Sequence, residues 1–341
     1  MKRLLTFLLL CLAAYGSQAA VGLTVLPGTD QRGPVTVFYP SSSPAVATTR
    51  GPFTLNLAVD GSPSLGNRRL VMFSHGSGGS PGPHADFAAS LVDAGFIVAM
   101  PEHAGDNYKD HSKVGPASWK LRPGEVSQAI DAVQADARFA ALVDFTQVGV
   151  YGTSAGGLTA LTLAGARWSS ANFKRHCVAH MQEDFAACVG LITSLKGNWL
   201  DSVKLTVARW VHRLYFNDET LQNHTDPRIQ AVIASVPMAA PIELASMAQP
   251  RIAVAMVQSA FDPWLAPRFH SNKVRSACAS CVDIPNLPKS GHGTLMSPWP
   301  AELAQSLTPL LVDPPGFDRT QLPVVYGRMG EFFKAKLSTA Q

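Results

Sequence analysis

Apolar positions recur along the chain in two rhythms. After residue 20 come three short apolar stretches, LTVL (23–26), VTVFYP (35–40) and LNLAV (55–59), separated by Pro, Gly and Ser. Runs of that length with turn residues between them predict strands that begin an antiparallel arrangement. From residue 70 the rhythm changes. LVMFS (70–74) precedes a predicted helix over 84–94, and FIVAM (96–100) precedes a loop and a helix over about 123–143. VGVYG (148–152) precedes a helix from about 155. AVIASV (231–236), IAVAMVQ (252–258) and the run at CVDI (281–284) continue the series, with a final helix over 301–312. Strands that are apolar throughout, alternating with helices, predict an α/β fold: a mostly parallel sheet with helices on both faces. In such sheets the ligand site lies beyond the carboxyl ends of the strands.

One stretch breaks the rhythm. Residues 167–226 are too long for a connector and carry Trp168, Phe173, Phe185, Trp199, Trp210, Tyr215 and Phe216. A structureless loop of that length is uncommon in a compact domain. The stretch is therefore read as a helical insertion, either a lid over the site or an excursion packed on the side of the domain.

The chain has 341 residues, of which 46% are apolar, enough for a large core. The first residues read as Lys2 and Arg3, an apolar run, then small residues, which is the pattern of a secretory signal peptide over 1–19. The apolar run is shorter than the roughly 20 residues a membrane span requires. Residues 20–341 then form one α/β domain, in a secreted or periplasmic protein. The net charge of +4 falls to +2 once Lys2 and Arg3 are set aside. No basic cluster interleaved with aromatics appears, so nucleic acid is not an expected partner, nor is a stable membrane span. Beyond the leader there are four cysteines, Cys177, Cys188, Cys278 and Cys281. An even number in an exported chain favours disulfides. Proximity pairs Cys177 with Cys188 and Cys278 with Cys281, one of three connectivities.

The candidate chemistry starts at GVYGTSAGGLTA (149–160). Gly-x-Ser-x-Gly between a strand and a helix is the nucleophile-elbow pattern, with Ser154 on a sharp turn. Small neighbours are required because the flanks of such a turn pass close to other backbone. A serine hydroxyl needs a base, a group that orients the base, and donors for an oxyanion. The loop FSHGSGGS (73–80) follows a strand and is rich in glycine. It supplies one donor, the N–H of Ser77, and the residue after the nucleophile, Ala155, supplies the other. Among ten histidines, His292 stands out, in PKSGHGTLM after the last strand. The carboxylate is expected between Ser154 and His292 in the chain. Asp262, just beyond the strand at 252–258, is the first choice, with Asp283 in reserve. Trp264 beside it is a candidate for an apolar substrate-binding wall.

Together LVMFSHGSGGS, GFIVAMPEH, RPGEVSQAIDAV, VGVYGTSAGGLTALTLAGA and GHG resemble the α/β-hydrolase superfamily. More narrowly they resemble bacterial proteins called predicted dienelactone hydrolases, which are related to platelet-activating-factor acetylhydrolases. The likeness runs from about 21 to 312 and is loose over 167–226. It implies an α/β-hydrolase fold with a helical insertion after the nucleophile helix. It also implies a carboxylic ester hydrolase, esterase- or lipase-like, acting on a small-molecule or lipid-like ester with no metal or organic cofactor. On the resemblance Ser154 is the nucleophile, His292 the base, Asp262 the acid, and Ser77 and Ala155 the oxyanion donors. The chain departs from dienelactone hydrolases proper, which use cysteine where Ser154 stands. Two other classes remain open at this point: an acyltransferase or amidase using the same triad, and a non-catalytic binding module on the same scaffold.

Overall fold

The computed structural model describes residues 19–30, 32–190, 192–284, 287–300 and 311–338. The signal-peptide reading and most of the helix expected over 301–312 lie outside these residues. The strands are β1 (Ala20–Leu26), β2 (Val35–Ser41), β3 (Val46–Arg50), β4 (Phe53–Val59), β5 (Leu70–Ser74), β6 (Ile97–Pro101), β7 (Val148–Thr153), β8 (Ile229–Ser235), β9 (Ala253–Val257) and β10 (Val282–Asp283). They form one sheet in the order β10-β9-β8-β7-β5-β6-β2-β1-β4-β3. From β10 to β6 every pairing is parallel. β2 runs antiparallel to both β6 and β1, and β3 antiparallel to β4.

The helices are α1 (Ala85–Asp93), α2 (Pro116–Ala135), α3 (Ala155–Leu163), α4 (Ser170–His180), α5 (Phe185–Val189), α6 (Leu200–Tyr215), α7 (Ser271–Ala277) and α8 (Leu322–Lys336). The apolar strands are explained by burial on both faces. In β5, Leu70 and Met72 join one core with α2 and α3. Val71 and Phe73 join a second core with α1 and α8. Successive side chains of a strand point to opposite faces, so a strand between two helical layers has no polar face.

Several elements differ from the sequence reading. α2 starts at Pro116, not near 123, and stops at Ala135. Proline suits a first turn because its missing N–H is unpaired there anyway. That role falls to Pro116, after Gly115 at φ 92°, while Pro123 is carried inside the helix. The run expected over 281–284 shrinks to the two-residue edge strand β10. β3 and α8 were not anticipated.

The stretch 167–226 contains α4, α5 and α6. Phe173 packs edge-on against Trp119 of α2 at 5.1 Å between ring centres and against Phe216 at 5.6 Å. Cys177 bonds to Cys188 and Cys278 to Cys281, the pairing that proximity suggested. Among the described residues no helix is long and apolar enough to cross a membrane.

Candidate active site

β5 pairs with β6 on one side and β7 on the other. The chain therefore leaves β5 in one direction and returns on its opposite side, which opens a crevice between the carboxyl ends of β5 and β7. Ser74 pairs with Gly152 there. The loop after β5 and the turn after β7 face each other across that crevice.

Ser154 occupies the turn at φ 57° and ψ −119°, and α3 begins with the next residue. A left-handed backbone is costly for a side chain other than glycine and persists only where its surroundings enforce it. The Ser154 N–H donates to Ser235 O at 3.0 Å, and Ser154 O accepts from Gly157, Leu158 and Met238. The need for small flanks is quantitative. A Cβ on Gly152 would stand 1.9 Å from Gly156 O, and one on Gly156 would stand 1.9 Å from Ser74 O.

Asp262 lies five residues past the end of β9 and is 5% exposed, and His292 is 6% exposed. Asp262 Oδ1 accepts the N–H groups of Trp264 and Leu265, each at 2.8 Å. Its Oδ2 lies 2.7 Å from His292 Nδ1. With the carboxylate as acceptor, the neutral ring carries its hydrogen on Nδ1 and has its lone pair on Nε2. The Trp264 ring lies 5.0 Å from the His292 ring. The reserve residue Asp283 pairs instead with Arg275 at 2.9 Å and Gln258 at 3.1 Å, on the surface.

Ser154, His292, Trp264, Gly76 and Ser77 border one cavity of about 1270 Å³. Among the described residues no hydrogen bond joins Ser154 Oγ to His292. Such bonds are often long before substrate arrives. The cavity extends past β2 and β1 to β4, over Phe38, Leu23, Phe53 and Leu55. None of the described residues in 167–226 lines it. The insertion packs beside the domain rather than over this opening.

Ser77 borders the cavity, and a Cβ on its neighbour Gly76 would stand 3.3 Å from Ser154 Cβ. Ala155 is buried at the first position of α3 and is not a lining residue. Among the described residues neither the Ser77 N–H nor the Ala155 N–H is used in a hydrogen bond.

Sequence reasoning missed the support beneath this loop. Asp106 and Arg122 form an ion pair at 2.8 Å with no exposed side-chain surface on either partner. Burial alone would raise the Asp106 carboxyl. The Arg122 guanidinium and hydrogen bonds from Ser77, Ser118 and Gly78 hold it at about 2. His75 Nδ1 donates to Gly76 O at 2.7 Å, and its Nε2 accepts the His103 N–H at 3.3 Å. Burial, then His103 and Arg122, keep His75 well below the usual histidine range. His103 in turn bridges Ser74 Oγ at 2.8 Å and Glu125 Oε2 at 2.6 Å. That Ser–His–Glu chain has the connectivity of a catalytic relay. Ser74 is 1% exposed and His103 wholly buried, so no substrate reaches it. A signal existed: Arg122 shares the stripe of Trp119, Val126, Ala129 and Val133, and a charged residue at a core position demands partners.

A second, smaller cavity of about 290 Å³ is bordered by His176, His180, Arg268 and Phe269. Beside it His176, Asp184 and His270 bring potential ligand atoms within 4.8 Å of one another. The hydrogen bonds spend those atoms on protons. His270 Nδ1 accepts the Ala239 N–H at 3.1 Å, so His270 Nε2 carries hydrogen and donates to Asp184 Oδ2 at 3.0 Å. His176 Nε2 reaches the same oxygen at 2.7 Å. A metal on His270 Nε2 would displace that proton to Nδ1 and set two N–H groups against each other. The trio fits a hydrogen-bonded brace, not a cation site.

The chain matches no known family model, and no curated protein matches it.

Proposed function

We propose that the protein is a serine hydrolase of carboxylic esters built on the α/β-hydrolase fold, with Ser154, His292 and Asp262 as its triad. The single observation that carries this reading is the Asp262–His292 hydrogen bond. It fixes the imidazole with a free Nε2 in the cavity that Ser154 borders from a left-handed backbone. Ser154 Oγ attacks the ester carbonyl carbon while His292 Nε2 takes its proton. The resulting oxyanion is held by the N–H groups of Ser77 and Ala155, a good donor being worth about 3–4 kcal/mol. Collapse breaks the carbon–oxygen bond to the alcohol, which leaves with the proton from His292. Water repeats the sequence on the acyl-enzyme and frees the acid. The N-terminus of α3 adds its dipole to the anion side.

The apolar wall formed by Leu23, Phe38, Phe53 and Leu55 supports an ester with an extended apolar arm. The two disulfides support an oxidising compartment, and with the leader-like first residues they support export.

A fluorophosphonate probe and a chromogenic short-chain ester test the reading. The wild type is expected to label and to hydrolyse the ester. Ser154→Ala is expected to lose labelling and to drop turnover by about 10⁴-fold or more. Undiminished hydrolysis by that variant would reject Ser154 as nucleophile.

A further inference from the structure

Among the described residues Arg122 is the largest side chain with no exposed surface, and each nitrogen of its fork is committed. Nε donates to Ser118 Oγ at 2.8 Å, Nη1 to His75 O, and Nη2 to Asp106 Oδ2 at 2.8 Å and more weakly to Gly76 O at 3.4 Å. Asp106 is equally committed. Its Oδ1 accepts from Ser77 Oγ at 2.6 Å and from the Gly78 N–H at 2.9 Å, and its Oδ2 accepts from Ser118 Oγ at 2.7 Å. A buried ion pair is a poor device for stability, because desolvation offsets its attraction and an apolar pair of similar volume does as well. What this pair touches is more telling. Every residue from 75 to 78 is bound by one or both of its members.

The Gly76–Ser77 peptide is trans and planar, so its C=O and N–H point in opposite directions. Gly76 O is drawn inward by His75 Nδ1, by the Gly79 N–H at 3.1 Å and by Arg122. The Ser77 N–H on the same plane therefore points the opposite way, and Ser77, Gly76 and Ser154 line the same cavity. Asp106 absorbs the Ser77 hydroxyl and the Gly78 N–H, and Gly76 O absorbs the Gly79 N–H. Among residues 77–79 only the Ser77 N–H is left for a substrate oxygen.

We propose that Arg122 and Asp106 are positioning residues that hold the loop 75–78 so that the Ser77 N–H meets the developing oxyanion. This rests on the serine-hydrolase reading above. The pair never touches substrate. It acts by fixing one peptide plane, so its loss lowers transition-state binding and leaves ground-state binding nearly intact.

The test compares Arg122→Lys, Asp106→Asn and Ser118→Ala with the wild type. Turnover is expressed per active site titrated with the fluorophosphonate probe, so that unfolded molecules do not count. A lysine keeps the charge but lacks the planar fork. Arg122→Lys and Asp106→Asn are expected to lower kcat per titrated site by about 10²-fold, the scale of losing one oxyanion donor. KM should stay within about threefold, and the inhibition constant of a trifluoromethyl ketone should rise in parallel with the fall in kcat/KM. Val126→Ala, a core change in the same helix, is expected to lower the melting temperature and leave kcat per titrated site unchanged.

Turnover per site within about threefold of wild type in both variants, or a loss expressed only in KM, would overturn the proposal. Should neither variant fold, Ser118→Ala decides, since it removes one bond to each partner and keeps the ion pair. It is expected to cost about tenfold in kcat per site, and no change would sink the idea. A wild type that neither labels nor cleaves esters would instead remove the hydrolase reading itself. That result is distinct from an active wild type with unaffected variants.

Discussion

Asp262 accepts two backbone N–H groups on one oxygen and the His292 ring on the other, so its orientation is set from both sides. An amide at this position keeps the shape but must offer its NH₂ group to one of those donors. If it turns the NH₂ toward His292, the ring proton moves to Nε2, the atom that the proposed function needs as a free base. Asp262→Asn is expected to retain the fold and to lose about 10⁴-fold in kcat, measured beside far-UV circular dichroism. At the elbow the constraint is steric. Gly156→Ala drives a methyl into Ser74 O, and neither backbone can yield without disturbing the β5–β7 pairing. A loss of about 4 kcal/mol or more in denaturant unfolding is expected. These positions could be singled out as candidates from the sequence because each lies within a few positions of a strand end. The Asp106–Arg122 pair was not readable in the same way. Its partners are mostly backbone carbonyls and amides, which leave no mark on residue identity.

At the scale of elements, the parallel strands were legible because burial on both faces leaves an unbroken apolar run. The failures have physical causes. β3, with the sequence VATTR, is mostly exposed at the sheet edge and shows no apolar run to detect. The limits of α2 were misplaced because two prolines compete for the start, and burial of Arg122 and Glu125 interrupts the apolar stripe. The last helix was expected over 301–312, and α8 was missed although Leu322, Val325, Tyr326, Met329 and Phe333 recur at helical spacing, because Pro323, Gly327 and Gly330 weaken the helical signal. Yet α8 seals one core. Phe333 is fully buried, and a Cβ on Gly149 of β7 would stand 2.7 Å from its ring. Phe333→Ala is expected to cost about 3–5 kcal/mol by chemical denaturation, with turnover per titrated site unchanged.

For the whole molecule, buried imidazoles set the response to acid. Burial pushes His84 down to about 4, and burial with neighbouring positive groups holds His75 and His103 well below 6.5. Each is a base whose folded-state pKa is depressed, so the unfolded chain binds more protons below about pH 6.5. The stability they secure is present above that pH and is lost as pH falls toward 4. His84 alone accounts for about 3 kcal/mol across that window. Each of the three adds a slope of up to about 1.4 kcal/mol per pH unit. Thermal unfolding between pH 7 and pH 4.5 should therefore show a steep fall in melting temperature, and His84→Phe should flatten it. A profile flat over that range would contradict neutral burial of these rings.

The two sulfur bridges, finally, close loops of 11 and 3 residues, whereas either other pairing of these four cysteines would join positions some 90 or more apart. Closing a short loop costs less chain entropy than closing a long one, so the near mate is favoured over either distant one. That bias holds for the full-length reduced chain, so native pairing is expected without reshuffling of errors. Recovery of native protein from the reduced, unfolded chain in a glutathione buffer should be indifferent to added disulfide isomerase.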